Sequence, residues 1–260
     1  MTLSEKKQLQ ITACKIRMGI IESTYGAKAG HPGGSLSATE MFTYLYFKEM
    51  NIDPKNQKWE DRDRFVLSKG HTAPGLYSAL AHRGFFPVED LPTLRHIDSY
   101  LQGHPNMNTV PGVDMSTGSL GQGISCAVGM ALGLKHQGKS ARVYTLLGDG
   151  EIQEGQVWEA CMLAAHYKLD NFVVIVDKLA AFGFNTLAID GHSFEEIEAA
   201  MENAKATKGK PTAIVMKTTK GKNISFMEND AGWHGKAPND AEYEQAMGEL
   251  DAILAELEGN

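Results

Sequence analysis

Apolar residues recur along the chain with two different periods, and the alternation of those periods predicts its architecture. From Ser4 to Tyr25, charge is mixed with Ile11, Cys14, Ile16, Met18 and Ile21, which predicts a helix with Ser4 as its N-cap. A glycine-rich loop, Gly26–Gly34, separates it from a second helix running to Met50, for which Ser37 is the expected N-cap. Arg64-Phe65-Val66-Leu67-Ser68 is an apolar run of strand length that ends in Lys69-Gly70-His71, and a helix from Thr72 to His82 follows. After Leu120, the residues Ile124, Ala127, Val128 and Ala131 fall at helical spacing among Gly121, Gly123, Gly129 and Gly133. Such a helix is built for close packing against another helix or another subunit. Arg142–Leu147 and Asn171–Val176 read as buried strands on either side of a helix whose inner stripe is Val157, Ala160, Cys161 and Ala164. Thr186–Ile189, a helix Ser193–Ala206, the strand Pro211–Met216 and an amphipathic helix Asp240–Leu257 complete the pattern.

Strands alternating with helices of this length form parallel βαβ units. The expected fold class is therefore α/β, a three-layer αβα domain with a mainly parallel sheet. With no repeat, linker or second composition regime, residues 1–260 are expected to form one domain. Hydrophobic residues at 42% and charged residues at 22% exclude a disordered chain. Lys+Arg 25 against Asp+Glu 32 gives −7, which argues against a duplex nucleic-acid partner. Early charges at Glu5, Lys6 and Lys7, and the lack of an apolar run of ~18 residues, argue against a signal peptide or a membrane span. Cys14, Cys126 and Cys161 are widely spaced and read as buried thiols of a reducing compartment, so a cytoplasmic location is expected.

Open parallel sheets bind ligands at the carboxyl ends of their strands. Gly148-Asp149-Gly150-Glu151 stands at such a place. Asp149 is suited to a hard divalent cation, and the flanking glycines allow backbone amides to approach a diphosphate, although the same tripeptide also makes an ordinary tight turn. Residues 103–118, with Gly103, Gly112, Gly118, Pro105 and Pro111, form a long loop of the kind that usually carries function.

The longer run Gly148-Asp149-Gly150-Glu151-Ile152-Gln153-Glu154-Gly155-Gln156-Val157-Trp158-Glu159-Ala160 resembles the thiamine diphosphate motif of the transketolase family. Gly30-His31-Pro32-Gly33-Gly34, Ser68-Lys69-Gly70-His71, Gly103-His104-Pro105, Thr117–Gly123 and Trp233-His234-Gly235 follow in the family's order. The resemblance covers the whole chain but only the amino-terminal, diphosphate-binding portion of a full-length member. It implies thiamine diphosphate with Mg2+ (or Ca2+ or Mn2+) as cofactors. It also implies one subunit of a split enzyme that moves a two-carbon ketol unit from a ketose to an aldose, with sugars or sugar phosphates as substrates. The partner would be a carboxyl-terminal, pyrimidine-domain subunit carrying the glutamate that activates the cofactor, in a hetero-oligomer built on a dimer. By position, Asp149 matches the metal ligand and Gly150 a diphosphate amide, and Gly118 and Leu120 match contacts to the aminopyrimidine. Glu154 matches a carboxylate coupling the two cofactor sites, although a first-turn helix acid is the plain reading of the residue. His31, His71, His104 and His234 match histidines that surround the thiazolium and handle substrate hydroxyls or the diphosphate, as groups that titrate near neutrality can.

One departure stands out. The family places Asp-x-Asn and a longer loop after the second buried strand, and the Asn is a metal ligand. Here Asp177 runs straight into Lys178-Leu179-Ala180-Ala181-Phe182-Gly183, and no Asn occurs before Asn185. Two rival readings remain: a 2-oxo acid decarboxylase or deoxyxylulose phosphate synthase subunit, and a non-catalytic homologue that only binds a cofactor or partner.

Overall fold

The computed structural model describes residues 1–176 and 183–259, so the junction after Asp177 lies outside the described residues. Among the described residues five strands, β1 Arg64–Leu67, β2 Val143–Leu146, β3 Phe172–Val176, β4 Asn185–Asp190 and β5 Thr212–Lys217, form one sheet in the order β1-β2-β3-β5-β4. Every pairing is parallel. β2 and β3 are buried throughout, because helices cover both faces. β4 alternates half-buried and exposed positions, the signature of an edge strand with one wet face.

On one face of the sheet, Leu67, Tyr144, Ile175 and Ile214 belong to a core shared with α1 Leu3–Ala27, α3 Thr39–Tyr44, α4 Ala73–Arg83, α7 Phe194–Ala206 and α8 Asp240–Gly259, the last packed on α1. The other face packs Val66, Val143, Val174 and Val176 against α5 Gln122–His136 and α6 Gly155–His166. These are the three expected layers. The predicted stripes of α5 and α6 are buried, as expected. No helix among the described residues is long and apolar enough to cross a membrane.

Four local expectations change. The cap of α1 is Thr2, not Ser4: the Thr2 hydroxyl accepts from the Glu5 amide and the Glu5 carboxylate accepts from the Thr2 amide. The glycine-rich stretch is only partly a loop, since α2, Pro32–Ser37, already begins at Pro32, whose fixed φ suits a first helical position. A Cβ on Gly33 would come within 2.9 Å of the Trp233 carbonyl oxygen, and one on Gly34 within 2.9 Å of Thr72, so these glycines serve close packing. Ser37 is not an N-cap; its hydroxyl donates back to the Gly34 carbonyl inside α2. Of the cysteines, all free, Cys14 and Cys161 are buried but Cys126 is exposed, on the outer face of α5.

A polar chain runs through the otherwise apolar layer between α1 and α3. Arg17, 3% exposed, and Glu40, 7% exposed, pair at 2.5 Å, and Arg17 Nε donates to the Lys222 carbonyl. The other Glu40 oxygen accepts from His192 Nδ1 at 3.0 Å, and His192 Nε2 accepts from the Thr219 amide at 2.8 Å. His192 therefore carries its proton on Nδ1 and ties the turn after β4 to the segment after β5. Removing one partner of a buried ion pair leaves an uncompensated charge, so Glu40→Ala should destabilise the chain by about 3–5 kcal/mol. Urea unfolding measures the loss, and Arg17→Met combined with Glu40→Leu should recover part of it. An unchanged midpoint for Glu40→Ala would show that this pair does not anchor α1 to α3.

Candidate active site at the strand ends

The parallel register fixes where the site can be. Leu67 of β1 stands beside Leu146 of β2, and the Ser68 amide continues the ladder to the Leu146 carbonyl. The loops leaving these strands, Lys69-Gly70-His71 and Gly148-Asp149-Gly150, are thereby neighbours, and the segment Thr218–Lys220 leaves β5 at the same end of the sheet.

Three close approaches at glycines then gather the predicted histidines. A Cβ on Gly70 would fall 2.7 Å from the Gly118 amide nitrogen, one on Gly118 3.0 Å from the His104 ring, and Gly33 meets the Trp233 carbonyl as described. Gly118, at φ 151°, adopts a conformation few other residues accept. The rings of His31, His71 and His234 lie in mutual contact, with centroids 5.0 Å (His31–His71), 5.5 Å (His31–His234) and 5.4 Å (His71–His234) apart. His104 stands next to this trio against Gly118, its backbone carbonyl held by the Tyr77 hydroxyl at 2.9 Å.

Burial and crowding by other cations decide the protonation of this cluster. Burial, with His31, Lys69, His234 and His104 nearby, pushes His71 from the ordinary imidazole value of 6.5 down to about 3. Burial and then His234, Arg95 and His104 lower His31, while burial and then Arg95 lower His104. Burial alone would raise the Asp149 carboxyl, but the Gly150 amide and the charges of Lys220 and Lys69 outweigh it and hold Asp149 below its usual range. Lys220 Nζ also stands 3.4 Å from His234 Nδ1, so one ammonium joins the acidic turn to the imidazole trio.

The turn itself is open. Asp149 and Gly150 are exposed, and a Cβ on Gly150 would meet nothing within 4 Å. Beside it lies a cavity of 510 Å3 whose lining includes Asp149, Ser37, Lys217, Thr218 and Lys220. An open amide, a carboxylate and two ammonium groups fit a diphosphate and its bridging cation. Among the described residues no group of three or more His, Cys, Asp or Glu is placed to hold a metal ion; within the turn Asp149 is exposed and Glu151 is buried.

Two other expected residues sit differently. Leu120 is 37% exposed in the approach to α5. Glu154 is exposed at the N-cap of α6, makes no side-chain cap bond and lies against Gly121, so it is not the first-turn acid of the plain reading. The buried acid of this motif is Glu151, 1% exposed, which accepts from Ser68 Oγ at 2.5 Å, from the Gly121 amide at 2.9 Å and from the Gly148 amide at 3.0 Å. Sequence reasoning passed over it, and over Lys69, Lys220 and His192. The available signal for the two lysines was position: each precedes a glycine in a loop leaving the carboxyl end of a strand.

Comparison with known proteins identifies the family. A family model described as the thiamine diphosphate binding domain of transketolase matches residues 8–181 and 175–251, two segments that overlap at the end of β3. The chain is 42% identical to a 6-deoxy-6-sulfo-D-fructose transketolase subunit of Clostridium sp. (strain MSTE9), over 96% of this chain and 98% of that one. It is 38% identical to an apulose-4-phosphate transketolase subunit of Phocaeicola vulgatus, over 96% of each. Both alignments run over 271 positions, more than the 260 residues here, so each relative carries residues without a counterpart in this chain. The crystal structure of transketolase from Campylobacter jejuni matches with a TM-score of 0.88 at 32% identity, over 99% of this chain and 46% of that one. This chain therefore spans less than half of that enzyme. With a family model matched over most of the chain, the fold matched to a solved member, and relatives matched over 96% of its length, the chain belongs to the transketolase family, in which it corresponds to the thiamine diphosphate-binding domain.

Proposed function

We propose that this chain is the diphosphate-holding subunit of a two-subunit transketolase and that it works with a pyrimidine-domain partner. The observation that carries the reading is the contact of the His31, His71 and His234 rings with one another, together with Lys220, which meets His234 and also acts on Asp149. Lys69, Lys220 and the Gly150 amide would hold the diphosphate, and Asp149 would give one oxygen to Mg2+ or a similar divalent ion. Such an ion takes about six oxygens. Those beyond Asp149 and the diphosphate would come from water and from the segment after β3, where this sequence departs from the family pattern. Gly118 and Leu120 would border the aminopyrimidine, and Glu154, exposed beside Gly121, would face the second cofactor site. Bound thiamine diphosphate supplies a carbon centre that accepts and releases a two-carbon ketol unit.

The protein's own part is proton handling and orientation. Neutral His31, His71 and His104 can accept or donate hydrogen bonds at a substrate hydroxyl without introducing charge. The cation Arg95, close enough to lower His31 and His104, suits a sugar with an anionic end group. The relatives named above act on a sulfonated sugar and a sugar phosphate, which fits this class. The outer sides of α5 and α6, where Leu120, Met162, Leu163 and Tyr167 are exposed, would be covered in a hetero-oligomer built on a dimer. The free thiols fit a reducing, cytoplasmic setting.

Two outcomes test this. The purified chain should show no ketol transfer alone and acquire it when mixed with a pyrimidine-domain subunit; turnover by the chain alone contradicts the reading. In that complex, calorimetric titration with Mg2+ and thiamine diphosphate should show binding. Asp149→Ala, Lys69→Met and Lys220→Met should each weaken it by about tenfold or more, the cost of one lost charge-assisted contact.

The histidines add a pH signature. An unfolded imidazole gains its proton near 6.5, whereas folded His71 gains one only near 3. Between these values the unfolded state holds the extra proton. The stability carried by neutral His71 is therefore complete above pH 6.5 and is lost progressively as pH falls towards 3. The ceiling is about 1.4 kcal/mol per pH unit, and screening at this half-buried site lowers it. Thermal unfolding at pH 7 and pH 5 should show a smaller acid-induced drop for His71→Gln than for the parent chain, and equal drops would rule the effect out.

A further inference from the structure

The start of α5 lacks a cap of its own, because its N-cap residue is Gly121, at φ 81°, which has no side chain to accept from the first helical amides. The acceptors come from elsewhere in the chain. Ser68 Oγ, at the end of β1, accepts from the Ile124 amide at 3.1 Å and donates to Glu151, and Glu151 Oε1 accepts from the Gly121 amide. The second oxygen, Oε2, accepts from the Gly148 amide at the opening of the Asp149 turn. One side chain thus spans two loops far apart in sequence.

We propose that Glu151 is a positioning residue that sets the distance between the two halves of the cofactor site, the Gly148–Gly150 turn and the Gly118–Gly121 segment. This rests on the cofactor reading given above, in which the first half takes the diphosphate and the second borders the aminopyrimidine. A ligand that touches both halves needs both at fixed separation, whereas one that touches only the turn does not. Glu151 is suited to the task because both of its oxygens act as acceptors in a site closed to water. Glutamine has the same size, but its amide nitrogen would have to face either the Gly148 or the Gly121 amide, donor against donor.

The experiment compares the parent chain, Glu151→Gln and Ser68→Ala, each with the partner subunit for titration and alone for amide measurements. With Mg2+ present, Glu151→Gln should weaken thiamine diphosphate binding by on the order of tenfold more than it weakens inorganic pyrophosphate. A residue that only stabilised the fold would move both ligands by the same factor. Ser68→Ala, which leaves both Glu151–amide bonds in place, should show the same selectivity at a few-fold level. Should Glu151→Gln not fold, that ratio for Ser68→Ala decides. In the ligand-free chain, hydrogen exchange at the Gly121 and Gly148 amides should accelerate in Glu151→Gln ahead of other buried amides. Equal weakening of the two ligands, or unchanged exchange at both amides, overturns the inference. If the parent chain and its partner fail to bind thiamine diphosphate at all, the proposed function falls. The spacing role of Glu151 is then decided by the amides alone.

Discussion

The site depends on one buried carboxylate. In a parallel sheet every strand ends at the same side, so the loops that leave it crowd together with unpaired backbone groups and little sequence in common. Here the Glu151 carboxylate takes three donors at once, from Ser68, Gly121 and Gly148. Each donor comes from a different stretch of chain. Asp149, two residues earlier, can stay exposed towards a ligand because Glu151 meets the structural demand of the turn. The two acids of one short loop divide the work between holding the loop and facing solvent.

The opposite flank is fixed by a second polar chain, from Arg17 through Glu40 and His192 to the Thr219 amide. This chain delivers Lys220, the next residue, to its place beside Asp149 and His234. Burying Arg17 and Glu40, with His192 half-buried beside them, is costly unless each is satisfied, and the geometry satisfies them with one another and with backbone groups of the segment after β5. The apolar core positions the strands; these two polar networks position what leaves them.

The imidazole trio illustrates how packing sets chemistry. The same ring exposed in a loop would titrate near neutrality, but His71 sits against two other rings with Lys69 beside it and stays neutral far into acid. Glycine makes that crowding possible, since a side chain at position 70 would collide with the Gly118 backbone, and one at position 118 with His104.

The sequence by itself determined the alternation of buried strands and helices, the three-layer class, and the placing of Gly148-Asp149-Gly150 and Lys69-Gly70-His71 at strand ends. Those features follow from local periodicity and from backbone demands that only glycine and proline meet. It also marked the extent of α7 to within a residue and the buried stripes of α5 and α6. It misplaced the cap of α1 and read Gly33 and Gly34 as loop, because a glycine that permits close packing looks like a glycine that permits a turn. Only the tertiary structure decided that β5 inserts between β3 and β4, that Glu151 and not Glu154 is the buried acid, and that His192 belongs to an ion-pair network. These are contacts between residues tens to more than a hundred positions apart, or, for the two glutamates, a difference in burial. Neither leaves a trace in the spacing of the residues that make it.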